Sequence, residues 1–172
     1  MDQNIGRLVA RLQEHGHLDD TLILFMSDNG CSGELGPFGC HWPERQRANY
    51  HTWRSEGGWA TSQGQCWASL SNTPLRKYKI FVHEGGIASP FIAHWPAAIS
   101  PGRTEQAMAM GIDLFPTILE MLQLPPPPDR LLDGRSILPV LTQGGPSPHD
   151  YLYYYDGEFL FALRDQRFKY RG

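Results

Sequence analysis

Between Asp19-Asp20 and Asp28-Asn29-Gly30 the chain carries an unbroken apolar and partly β-branched run, Thr21 to Met26, TLILFM. A run this short, closed on both sides by turn-forming residues, is too brief for a buried helix and predicts a strand covered on both faces. Upstream, Ile5, Leu8, Val9 and Leu12 recur at helical spacing with Arg7, Arg11 and Glu14 on other faces, so residues 3–15 are expected to form an amphipathic helix that Gly16 ends. Helix followed by buried strand predicts an α/β chain, a mostly parallel sheet with flanking helices.

Residues 28–73 lack periodicity and are crowded with Gly, Trp, His and Arg, which reads as a long surface excursion. Ser89–Trp95, SPFIAHW, is a second short strand that Pro96 closes. Asp113 is an N-cap candidate for a helix in which Leu114, Ile118, Met121 and Leu122 share one side, with Pro116 tolerated in the first turn and prolines 125–128 ending it. Ser136–Leu141 suits a short helical turn. Beyond a linker at 144–148, aromatic-rich runs at 151–155, 159–164 and 167–170, separated by Asp156-Gly157 and Asp165-Gln166, predict an antiparallel meander. The expected division is residues 1–145 in the α/β part and 146–172 as the beginning of a small antiparallel subdomain whose second face lacks a cover.

Charge and cysteine content exclude several function classes. Fifteen Lys+Arg against 18 Asp+Glu leave a net charge of −3, which argues against a basic nucleic-acid binder, and no long uncharged apolar run suggests a membrane span. Cys31, Cys40 and Cys66 are an odd number at spacings that match no tetrahedral zinc pattern. The first residues, MDQNIGRLVARL, contain no secretory apolar region, and the compartment stays open.

Two stretches carry candidate chemistry. Asp28 and Asn29 follow the strand directly, and at the carboxyl end of a strand a carboxylate and an amide oxygen side by side suit a hard divalent cation, calcium or magnesium. The same Asp-Asn-Gly is also ordinary turn chemistry. The second stretch, residues 72–90, gathers Arg76, Lys77, Lys79, His83 and Glu84 before the Gly85-Gly86 pair. Such a basic cluster beside glycines can hold an oxyanion, or be a solvated loop leading into a strand.

Taken in order, TLILFMSDNG, TPLRKYKIFVHEGGIASPFIAHWP, GIDLFPTILEMLQL and DGRSILPVL resemble the second half of a type I sulfatase, of the arylsulfatase kind within the alkaline-phosphatase-like superfamily. The closing FALRDQRFKYR is similar to the start of that family's small C-terminal sheet. The resemblance implies a partial alkaline-phosphatase-like sandwich, a sulfuric ester hydrolase lineage, Asp28 and Asn29 as two ligands of a calcium ion, and Lys79 as a contact to the substrate sulfate. His83 is a candidate lining the catalytic pocket, Glu84-Gly85-Gly86 shapes its wall, and Arg76 and Lys77 match scaffold positions. The partner it implies is a small-molecule or glycan sulfate ester.

The departures are equally informative. The family's nucleophile is a formylglycine made from a cysteine in a C-x-P-S-R-like motif, accompanied by two acidic calcium ligands, and these 172 residues contain neither. Cys66-Trp67-Ala68-Ser69-Leu70 echoes the motif but has Leu where Arg is needed, so Cys66 reads as an ordinary loop cysteine. The expectation is a fragment that is inactive alone and associates with a missing N-terminal half. Two rival readings stay open: a phosphodiesterase or phosphonate hydrolase of the same superfamily, and a non-catalytic module that binds sulfated glycans through Trp42, Arg45, Arg47, Trp53 and Arg54.

Overall fold

A computed structural model of the chain describes residues 1–34, 36, 37, 39 and 63–171. The fold divides into two compact units, one spanning Met26–Phe91 and one made of Met1–Phe25 together with the chain from Ile92 onward.

In the second of these, α1 (Asp2–Glu14) forms where the apolar spacing predicts, with Asp2 in the first turn favouring the positive end of the helix dipole. Its apolar stripe is only half-covered, and Leu8 remains 56% exposed. The strands β1 (Ile23–Met26) and β2 (Phe91–His94) pair as a two-stranded sheet. The Ala97 amide donates to the Asp19 carbonyl at 3.0 Å, so the residue preceding β1 meets the residue following β2 and the strands run antiparallel.

Two expectations are corrected here. The parallel sheet is not found among the described residues, and β1 is not covered on both faces, because Phe25 and Met26 stay 37% and 40% exposed. The physical reason is that an apolar run encodes the wish to be buried, while direction and cover are set by partner strands and layers that the run does not specify.

A 3-10 turn at Gly111–Asp113 leads into α2 (Leu114–Met121), and α3 (Leu138–Gln143) follows with Pro in its first turn. Asp113 does stand at the N-cap position of α2, but its side chain does not cap that helix. Fully buried, its carboxylate accepts from the Met110 amide at 2.7 Å and the Arg135 amide at 2.9 Å, and both oxygens lie 2.9 Å from His149 Nε2. Thr117, also buried, donates to the Asp113 carbonyl and accepts from the Ile137 amide at 2.9 Å. Met108, Ile137, Val140, Leu152 and Ala162 supply this unit's buried apolar side chains.

The aromatic tail forms the expected meander: β3 (Leu152–Asp156), β4 (Phe159–Arg164) and β5 (Lys169–Arg171) pair antiparallel in that order. Tyr153, Leu163 and Tyr170 lie across from one another in register, and the alternation places Leu152 and Ala162 on the buried face.

In the unit Met26–Phe91, residues 28–73 are not all irregular. Gly64–Ser71 is a helix, α4, with Ala68 fully buried. Two turns are too few to establish a period, and Gln63 provides no side-chain cap, so the usual helix signals are missing. The Gly85-Gly86 pair sits inside a single helical turn, α5 (Glu84–Ile87).

Candidate functional site

The turn after β1 is folded by Ser27, whose hydroxyl donates to the Asn29 carbonyl at 2.8 Å. Beyond it the backbone is sewn to the 76–90 stretch: Ser27 N–H donates to Pro90 C=O (3.3 Å), Gly30 N–H to Gly86 C=O (3.0 Å) and Lys79 N–H to Cys31 C=O (2.9 Å). This approach is so close that a Cβ on Gly30 would lie 1.8 Å from the Gly85 carbonyl oxygen, and one on Gly85 would lie 2.1 Å from the Lys77 carbonyl oxygen. Only glycine allows backbone to meet backbone this way. The two stretches that carry the candidate residues are thus one neighbourhood.

Within it Asp28 is exposed and Asn29 half-buried. Lys79 is half-buried, and its Nζ lies 3.3 Å from Glu34 Oε1. The loop bends sharply around it, with Lys77 at φ 68° and Ile80 at φ 77°, a region side-chain-bearing residues avoid. His83 stands at the N-cap of α5, where its carbonyl accepts from the Gly86 amide at 2.8 Å and its ring meets Phe81 edge-on at 6.0 Å. Phe81 in turn packs edge-on against Tyr78 at 5.1 Å and carries the Lys77 ammonium 4.8 Å over its face. Arg76 enters through its backbone, its carbonyl accepting from the Gly85 amide at 2.9 Å.

Two further residues emerge that sequence reasoning does not single out. Glu34 meets the Lys79 ammonium, and Asn72, next after α4, hydrogen-bonds to Cys31, Lys77 and Gly85. Asn-Thr-Pro marks the start of the second candidate stretch, but read from the residues it is punctuation, and nothing in it assigns Asn72 a role. Trp42, Arg45, Arg47, Trp53 and Arg54 lie outside the described residues.

As a cation site, Asp28 and Asn29 offer a carboxylate and an amide carbonyl, the oxygen donors calcium accepts, but only part of the six to eight it takes. Among the described residues no group of three or more His, Cys, Asp or Glu side chains is gathered for a metal. The pair fits a shared site and does not make a complete one.

Comparison with known proteins gives the family. The family model named Sulfatase matches residues 1–124. Over 166 residues the chain is 32% identical to steryl-sulfatase of Mus musculus, covering 95% of this chain and 22% of that protein. It is 30% identical over 169 residues to N-acetylgalactosamine-6-sulfatase of Rattus norvegicus, covering 98% and 26%. Among solved structures, the sulfatase PsFucS1 from Pseudoalteromonas sp. superposes with a TM-score of 0.70 at 27% identity, over 96% of this chain and 28% of that one. BT4656, solved with its substrate D-glucosamine-2-N,6-O-disulfate, superposes with a TM-score of 0.62 at 27% identity, over 98% and 28%. The chain therefore spans about a quarter of the length of these relatives, and it belongs to the sulfatase family.

Proposed function

We propose that this chain contributes one wall of a sulfuric ester hydrolase site, in which Asp28 and Asn29 supply two oxygen ligands to calcium and Lys79 contacts the sulfate group of a small-molecule or glycan ester. The observation that carries the reading is the Lys79 amide bonded to the Cys31 carbonyl, which ties the lysine to the backbone two residues beyond Asn29.

A calcium ion held there would withdraw charge from the sulfuryl oxygens. The chain's own residues do the rest. The Asp28 carboxylate and the Asn29 amide oxygen would hold the cation, and the Lys79 ammonium would stabilise negative charge as a preorganised donor. Because Glu34 already engages that ammonium, an incoming sulfate competes with a carboxylate for it. His83, two residues before Gly85, lines the same wall with its ring held against Phe81. The formylglycine nucleophile of the family has no counterpart in these 172 residues, so the isolated chain is expected to bind without turning over. Its substrate class follows the relatives, one of which was solved with a disulfated glucosamine.

Calorimetric titration tests this. Calcium should bind the chain weakly and bind neither Asp28→Ala nor Asn29→Ala measurably, and sulfate affinity should fall in Lys79→Ala. Calcium heats that are the same in all three proteins overturn the metal assignment. Turnover of an aryl sulfate with calcium, above that of Lys79→Ala, overturns the inactivity of the chain alone.

A further inference from the structure

Asn72 is not one of the residues assigned to calcium or sulfate. Its side chain has one carbonyl acceptor and an NH2 with two donor hydrogens. The described contacts use both ends: Oδ1 accepts from the Cys31 amide at 3.2 Å, and Nδ2 donates to the Lys77 carbonyl at 2.9 Å and to the Gly85 carbonyl at 2.7 Å. Cys31 lies two residues after Asn29, Lys77 two before Lys79, and Gly85 two after His83. One amide group therefore joins all three segments that carry the candidate site residues. Its own backbone is held by α4, the Asn72 N–H donating to Ala68 C=O at 3.1 Å, and Ala68 is fully buried.

We propose that Asn72 is a positioning residue: anchored on α4, it sets the spacing between the 28–31 turn and the 77–85 loop. Only the importance of that spacing to ligand rests on the function proposed above. Neither Asp nor Ala meets the same demands. Asp keeps the acceptor for Cys31 but turns an oxygen toward two carbonyls, and Ala leaves all three backbone groups without this partner. If Asn72 merely filled space, the near-isosteric Asp would be the milder change and Ala the harsher one.

The test is amide hydrogen exchange and carbonyl carbon NMR on the 172-residue chain. The amides of Gly30 and Lys79 bond across the same gap without touching Asn72, and those of Ile137 and Leu141 belong to the other unit and report any opening that spreads beyond this one. Asn72→Asp is expected to lower protection at Gly30 and Lys79 about tenfold, at least as much as Asn72→Ala, with Ile137 and Leu141 unchanged. The Lys77 and Gly85 carbonyl resonances should shift in Asn72→Asp although the side chain keeps its size. The proposal is overturned if Asn72→Asp behaves as wild type, if Asn72→Ala is the harsher variant, or if Ile137 and Leu141 lose protection in step. Calcium and sulfate titrations of the wild-type chain separate the two readings: the exchange pattern above without any ligand binding upholds the positioning role and sinks the metal and sulfate assignment.

Discussion

Lys79 and Ile80 show how much a single position decides in this loop. The Lys79–Glu34 pair is partly exposed, 35% and 52% on the two side chains, so it contributes at most about 1 kcal/mol and competes mildly with an anion. Glu34→Gln is expected to tighten inorganic sulfate binding by up to about fivefold at low ionic strength, and an unchanged dissociation constant in the titration would count against Lys79 as the sulfate contact. Ile80 is 76% exposed at φ 77°, and a β-branched residue there costs roughly 1–2 kcal/mol in backbone strain, whereas asparagine visits this region readily. Ile80→Asn should therefore stabilise the chain by about 1 kcal/mol in denaturant unfolding. At this scale the sequence is legible where the pattern is local: Asp28-Asn29 stands out because it follows an apolar run directly. Glu34 and Asn72 are invisible to the same reading, since each takes part in a contact that no local pattern encodes, 41 positions away for the Asn72–Cys31 bond.

Between elements, small polar clasps replace bulk apolar packing. The β4–β5 turn is closed by Asp165, which accepts from the Phe168 and Arg167 amides, and these bonds, with Phe168 the larger cause, hold its carboxyl below the ordinary 3.8. A carboxyl lowered on folding stabilises fully above its unfolded value, and that contribution disappears as pH falls through the folded one. Exchange protection at the Arg167 and Phe168 amides should accordingly drop below about pH 4, and Asp165→Asn, which keeps a neutral acceptor, should flatten that response. A larger effect belongs to Asp113. Removing its carboxylate orphans the Met110 and Arg135 amides and leaves His149 without its partner inside the fold. Asp113→Ala is expected to cost about 2–4 kcal/mol, the penalty for leaving buried donors without an acceptor, read as a lowered urea midpoint. The elements themselves are largely legible, from α1 through the meander, because each has its own period or turn signal. Missing from that reading are α4, too short to show a period, and the direction of the β1–β2 pair, which depends on what each strand finds beside it.

For the molecule as a whole, the balance of exposed and buried apolar surface is the governing fact. Phe91 at 38%, Ile92 at 59%, Trp67 at 62%, Tyr153 at 49%, Tyr155 at 62% and Tyr170 at 56% are exposed, whereas among the described residues the buried apolar side chains are few and mostly modest in size. Scattered exposed hydrophobics are normal, but one face of a small sheet carrying Tyr153, Tyr155 and Tyr170 together is a contiguous patch. The relatives are about four times longer, and a family fold of that size supplies far more cover per residue than a quarter of it does. The expected behaviour of these 172 residues by themselves is association that grows with protein concentration, since any complementary apolar surface, a second copy included, removes the patch from water. Sedimentation velocity across a hundredfold concentration range checks it: the weight-average sedimentation coefficient should rise, and Tyr153→Lys with Tyr155→Lys, on the open face of an edge strand, should lower it again. A coefficient that stays flat over that range would mean that the aromatic face is adequately solvated as it stands, and that the apolar surface on these strands is not what drives association.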